Sequence, residues 1–81
     1  MKIEIITPEQ KIFEGEIKSV RVPGKKGSFQ VLNNHAPIVS TLDGGSVTMV
    51  DTEGKESIYE ISGGVIEVKA NNIILLADSV K

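Results

Sequence analysis

The chain has 81 residues, with nine Lys and Arg against eleven Asp and Glu and no Cys. This length supports one domain over residues 1–81, because a second hydrophobic core would need roughly another 50 residues. The net charge of −2 creates no field that would attract nucleic acid or an anionic membrane. Without Cys, disulfides and the usual structural zinc site are excluded, so a protein partner is the expected outside source of stability.

The N-terminal segment does not read as a signal peptide, because Glu4 interrupts its apolar stretch and no small-residue cleavage site follows. The longest apolar run, at residues 73–77, is far shorter than the roughly 20 residues that cross a bilayer. We therefore expect no direct insertion into a membrane, and any membrane association would come through a partner.

Short β-rich runs between turn signals dominate the chain, and no window keeps the apolar spacing of an amphipathic helix. Runs 46–51 and 56–61 bracket a polar turn containing Gly54 and are predicted to pair as a hairpin. The other predicted strands lie at residues 2–5, 11–14, 17–22, 28–32, 38–42, 65–69 and 73–77. Eight to ten short, mostly antiparallel strands predict an all-β fold, either a small β-sandwich or a flattened barrel.

Strand alternation and turn chemistry add four local predictions. In the third run, Lys18, Val20 and Val22 should share one face and Ile17, Ser19 and Arg21 the other. The pair Gly63 and Gly64 predicts a bend, because a phosphate loop would need more glycines and a following helix N-terminus. Asn71 and Asn72 suit a turn with positive φ, and Phe29 is predicted to lie in the core.

The candidates for chemistry are few. His35 is the single histidine, and Ser40, Asp43 and Asp51 are available by type, but nothing in their spacing brings them together. Three aromatic residues are too few for the stacked rings of most nucleic-acid or sugar sites. We therefore predict no catalytic residue, metal, cofactor, nucleic acid or small-molecule ligand.

Two segments carry a family signal. Residues 27–37 read GSFQVLNNHAP, and residues 62–68 read SGGVIEV. Together with TPE at 7–9 and FEG at 13–15, their order and spacing resemble the epsilon subunit of the F-type ATP synthase over the whole chain. The resemblance implies a β-sandwich and a non-catalytic subunit of the rotor's central stalk, which helps to couple ion translocation to ATP synthesis at the cytoplasmic face of a bacterial inner membrane.

The resemblance also implies two partners, the gamma subunit and the c-ring. The residues expected to contact gamma are Thr7, Asn34, His35, Ala36 and Ser40. The turn expected to face the c-ring consists of Lys25, Lys26, Gly27 and Ser28. Family members often carry acidic residues in this turn, so its lysines depart from the pattern and leave no specific ion pair to expect.

Most family members continue into an inhibitory two-helix hairpin, which would begin where this chain ends at Lys81. The hairpin's activities are therefore not expected of these residues. Two other classes of function stay open at this point. One is a free-standing β-sandwich adaptor that binds a protein through its loops or sheet edge. The other is a small hydrolase built around His35.

Overall fold

The structure is a computed structural model that describes residues 1–81 and contains eight β-strands and no helix. The strands are β1 (Lys2–Ile6), β2 (Lys11–Val22), β3 (Phe29–Leu32), β4 (Ile38–Leu42), β5 (Gly45–Asp51), β6 (Glu56–Ile61), β7 (Gly64–Lys69) and β8 (Asn72–Ala77). Their order is β4-β7-β8-β1-β2-β5-β6, and β3 also pairs with β2. All pairs are antiparallel except β1 with β8. The predicted all-β class is confirmed.

Strand β2 belongs to two sheets. Its first half pairs with β1, where Gly15 lies opposite Ile3, and its second half pairs with both β3 and β5. We call the sheet of β4, β7, β8, β1 and the first half of β2 sheet A, and the sheet of β3, β5, β6 and the second half of β2 sheet B. The prediction of separate strands at 11–14 and 17–22 was wrong, because β1 keeps the intervening residues paired.

The predicted alternation along β2 also fails at one point. Ile17, Ser19, Val20 and Val22 are all buried, whereas Lys18 is exposed. The pairing of β2 with β5 shifts register between Ile17 and Ser19. A bulge of this kind inserts one extra residue and turns the strand, so both predicted faces contribute to the interior.

The core lies between the two sheets and consists of alternating apolar residues. Phe29 is only half-buried and packs against the core at its margin, so the core prediction for this ring was partly right. Each fully buried aliphatic side chain contributes about 1.5–3 kcal/mol. The buried apolar residues are Ile3, Ile5, Ile17, Val20, Val22, Val31, Leu42, Val47, Met49, Ile61, Ile66, Val68, Ile73, Leu75 and Ala77.

Two tight turns fix the position of β7 and β8. Gly63 has φ +143, and a Cβ added to Gly64 would overlap the carbonyl oxygen of Leu76 on the paired strand. The predicted bend at these two glycines is therefore confirmed. The turn between β7 and β8 uses Ala70 (φ 50) and Asn71 (φ 63), so the predicted turn was one residue too late and β8 begins at Asn72. Positive φ at both central residues is the type I′ geometry that matches strand twist.

A charge cluster joins β1 to the first half of β2. The ammonium groups of Lys2 and Lys11 each lie 2.8 Å from a carboxylate oxygen of Glu14. Hydrogen bonds from Lys11 and then Lys2 lower the pKa of Glu14 to about 2. The carboxylate therefore keeps its charge at any pH above that value. Since the group is exposed, the cluster sets surface charge and adds little to stability.

Candidate partner-binding surfaces

The His35 loop covers residues 33–37 between β3 and β4. The His35 amide donates to the Leu32 carbonyl at 3.1 Å. Its ring Nδ1 lies 2.7 Å from the Ala36 carbonyl oxygen. Because a carbonyl oxygen only accepts, Nδ1 is the donor, and in the neutral ring Nε2 is left as an acceptor. The histidine is thus held by local backbone, as a loop histidine would be.

Asn71 holds this loop from across the sheet, and the sequence analysis missed that role. The Asn34 amide donates to Asn71 Oδ1 at 2.7 Å, and Asn71 Nδ2 donates to Asn34 Oδ1 at 3.2 Å. The two asparagines are 37 residues apart, and both have positive φ. Positive φ was predicted for Asn71 but not for Asn34, and no local pattern could show that the two turns meet. The contact ties the predicted gamma contact Asn34 to the β7–β8 turn.

We expect Asn71→Gly to loosen the His35 loop with little change in global stability. Glycine keeps the positive φ of the turn but removes both side-chain hydrogen bonds to Asn34. Hydrogen exchange of the Asn34 amide should accelerate about tenfold, the loss of roughly 1.4 kcal/mol of local protection. Ala70→Gly is the matched control, because it relaxes the same turn and leaves Asn71 in place. Equal exchange rates in the two variants would contradict the role given to Asn71.

Ser40 lies on β4, where it shares an open cleft of about 500 Å³ with the turn at 24–27. Phe29, Ile38 and Val39 form the apolar part of this cleft. Ser40 is half-buried, and its hydroxyl donates weakly to the Thr41 carbonyl at 3.3 Å. The structure therefore brings a predicted gamma contact beside the predicted c-ring turn.

The predicted c-ring turn is exposed along Lys25, Lys26, Gly27 and Ser28. Its shape depends on Gly24, which is buried. The Gly27 amide donates to the Gly24 carbonyl at 2.9 Å, and a Cβ on Gly24 would lie 2.6 Å from the Gly27 carbonyl oxygen. The Lys25 amide donates to the Thr41 carbonyl at 3.0 Å, which fixes the turn to the end of β4.

Thr7 lies apart from the other predicted gamma contacts. It closes the turn after β1, where its hydroxyl hydrogen bonds with the backbone of Gln10. At the other end of β1, the backbone amide of Lys2 donates to the Asn71 carbonyl at 2.9 Å, beside the His35 loop. With about 3.3 Å per residue in a strand, Thr7 is roughly 17 Å from Lys2 and so from the end of β1 nearest that loop.

The outer face of sheet A lies between these two points and exposes several large apolar side chains. Val65 is opposite Leu76, and Leu76 is opposite Ile6, so three adjacent strands form an apolar row. Leu76 is 50% exposed, and Thr7 borders the same row. Contiguous exposed apolar surface on a small domain is typical of protein–protein contact.

Three of the four groups considered for catalysis form hydrogen bonds with the backbone of nearby residues. Asp51 Oδ1 accepts from the amides of Glu53 and Lys55, each at 2.9 Å, and so closes the β5–β6 hairpin. His35 bonds with Ala36, and Ser40 with Thr41. No group of three His, Cys, Asp or Glu side chains is arranged to hold a metal ion. The structure contains no helix that is long and apolar enough to cross a bilayer.

Fold and surfaces together define an all-β domain whose distinctive features are exposed loops, an apolar row and a charged turn. Over residues 1–81 the chain matches the family described as ATP synthase, Delta/Epsilon chain, beta-sandwich domain, and it belongs to this family. An ATP synthase epsilon chain from Chlorobaculum tepidum is 42% identical over 78 residues, which are 96% of this chain and 89% of that protein.

Two solved structures share the fold. A chain of the Euglena gracilis mitochondrial ATP synthase, from its OSCP/F1/c-ring assembly, superposes with a TM-score of 0.92 at 21% identity. A chain of the Tetrahymena thermophila mitochondrial ATP synthase, from its central stalk and c-ring assembly, gives a TM-score of 0.84 at 14% identity. The matches cover 98% and 100% of this chain but only 51% and 65% of the two larger chains.

Proposed function

We propose that this chain is a non-catalytic subunit of the central stalk of an F-type ATP synthase, where it binds the gamma subunit and the c-ring. The observation that carries the proposal is the match of residues 1–81 to the epsilon family. The likeness in fold to chains of ATP synthase rotor assemblies supports it. In this role the chain is a peripheral protein at the cytoplasmic face of a bacterial inner membrane, held there by the complex.

The gamma subunit would cover the outer face of sheet A and its borders. Thr7 lies at one border of this face, beside the apolar row. Asn34, His35 and Ala36 lie at the opposite end, near the β7–β8 turn, and Ser40 lies along the β4 edge. A partner that touches all five residues therefore has to span the face between them.

The c-ring would meet the turn of Lys25, Lys26, Gly27 and Ser28. This turn is exposed and fixed to β4 by the hydrogen bond from the Lys25 amide to Thr41. Torque transmission requires a body that does not deform, and a packed sandwich meets that requirement. Two interfaces on one rigid body also reinforce each other, because the first contact raises the effective concentration for the second. The chain contributes geometry, and the reaction takes place elsewhere in the complex.

Co-purification with the gamma subunit tests this proposal. We expect the unchanged chain to bind gamma, and the double variant His35→Ala with Ser40→Asp to bind about tenfold more weakly, as loss of a central contact does. The matched control is Lys55→Ala with Ser57→Asp, which makes similar changes on exposed residues of the β5–β6 hairpin in sheet B. Thermal midpoints of both variants show whether the sandwich remains folded. Failure of the unchanged chain to bind gamma would refute the proposed function.

A further inference from the structure

Strand β4 is an edge strand whose backbone is only partly paired. It hydrogen bonds with β7 on one side, where Ser40 lies opposite Ile66. On its other side, the Thr41 carbonyl accepts from the Lys25 amide at 3.0 Å, and the Asp43 amide donates to the Pro23 carbonyl at 2.8 Å. One end of this free edge is therefore closed by the turn segment, and the other end is not.

The open end of the edge is at Val39. Backbone groups of alternate residues in a strand point to the same side, so those of Val39 point the same way as those of Thr41 and Asp43. The Val39 amide and carbonyl have no backbone partner on that side. Its side chain is 69% exposed, the largest value among the exposed apolar residues. Unpaired edges of this kind are templates for an added strand.

The cleft that Val39 lines offers both apolar and charged groups to such a strand. It measures about 500 Å³ and runs along β4, with Phe29, Ile38 and Val39 as its apolar part. Lys25 and Lys26 line the same cleft, and neither forms an ion pair within the chain. An extended segment would therefore place an apolar side chain against Phe29 and a carboxylate near the lysines.

We propose that an extended segment of the gamma subunit pairs antiparallel or parallel with β4 at Val39, as an added strand of sheet A. This inference rests on the proposed function, because it takes gamma as the partner. Main-chain hydrogen bonds to Val39 supply affinity, and the cleft selects a segment with an apolar and an acidic residue. The site is continuous with Ser40 on the same strand and with the His35 loop that precedes it.

Val39→Pro tests the main-chain contact directly. Proline removes the amide donor that faces the open edge, but breaks no hydrogen bond inside the sheet. Ile38, which precedes it, is already extended, as a residue before proline should be. We expect binding of purified gamma to weaken about tenfold, since one hydrogen bond is lost and the approach to its neighbour is blocked.

Two controls separate the backbone from the side chain and from proline itself. Val39→Thr keeps the amide and the branched shape, so its affinity for gamma should stay within about twofold of the unchanged chain. Ile58→Pro places proline at the equivalent position of another edge strand, β6, where the residue is 57% exposed. It should also leave the affinity unchanged. In the unchanged chain, exchange of the Val39 amide should slow when gamma binds.

Each outcome decides between the two proposals. If the unchanged chain does not bind gamma, the proposed function and this inference both fail. If it binds and Val39→Pro binds as well as Ile58→Pro does, strand pairing is refuted while the stalk role stands. Equal weakening by Val39→Thr would also refute pairing, because the side chain would then carry the contact. Lys25→Glu with Lys26→Glu should weaken binding of gamma. Unchanged affinity would show that the gamma segment places no acidic residue near these lysines.

Discussion

Replacing Gly64 with alanine is expected to destabilise the domain by about 3 kcal/mol or more, which is the upper range for overpacking in a rigid site. The new Cβ would overlap the Leu76 carbonyl oxygen and lie 3.0 Å from the Ala77 Cα. Both are backbone atoms of β8, so no side chain can rotate away. For a domain of this size the thermal midpoint should fall by roughly 12 °C or more, and thermal unfolding followed by circular dichroism measures it.

Gly54→Ala is the matched control for this variant. Gly54 has φ +87 and nothing within 4 Å of an added Cβ, so alanine there meets backbone strain without a clash. A cost of about 1 kcal/mol is expected from the left-handed conformation alone. If the two variants melt at the same temperature, the close approach of β7 and β8 is not rigid and the explanation is wrong.

Leu75→Ala is expected to lower the free energy of unfolding by about 2–5 kcal/mol, because it removes buried methyl groups and leaves a cavity. Leu75 is fully buried on β8, which lies between β7 and β1 in sheet A. A domain of this length has about 4–12 kcal/mol of total stability. The variant should therefore lose a large part of that stability, as measured by the midpoint of denaturant unfolding at unchanged slope.

The next residue along β8 provides the comparison. Leu76→Ala removes the same atoms from a side chain that is 50% exposed on the outer face. Its effect on unfolding should stay below about 1 kcal/mol, the usual range for surface positions. Leu76→Ala should instead weaken gamma binding if gamma covers the apolar row. Similar losses of stability for Leu75 and Leu76 would show that β8 does not have the two distinct faces described.

Local sequence patterns were sufficient to predict the positions of most strands. The bounds of β4 and β6 agree with the predicted runs, and the hairpin of β5 and β6 was expected from the turn that contains Gly54. The two failures along β2 were decided by pairing between distant residues. The continuity of β2 depends on β1, which keeps Gly15 paired, and the bulge after Ile17 depends on β5. Nothing in the sequence of β2 itself indicates its pairing with β1 or β5.

For the candidate surfaces, too, local features could be predicted from the sequence and contacts between distant segments could not. Two glycines and two lysines within residues 23–27 are the composition of an exposed turn, and the structure has this turn exposed. The predicted gamma contacts came from resemblance to a family, and their arrangement around one face could not be read from the chain. The bond between Asn34 and Asn71, and the shared cleft of Ser40 and Lys25, exist only because sheet A brings separate segments together. The free edge at Val39 likewise depends on which side of β4 the turn occupies.

The parallel pairing of β1 with β8 has a consequence for how the domain folds during synthesis. The strand nearest the N-terminus occupies the middle of sheet A, with β8 on one side and β2 on the other. Ile3 and Ile5 therefore cannot be fully covered until residues of β8 have been synthesised and released from the ribosome. Such long-range pairing also slows folding towards the millisecond-to-second range. The nascent chain therefore cannot complete this core until β8 is available to pair with β1.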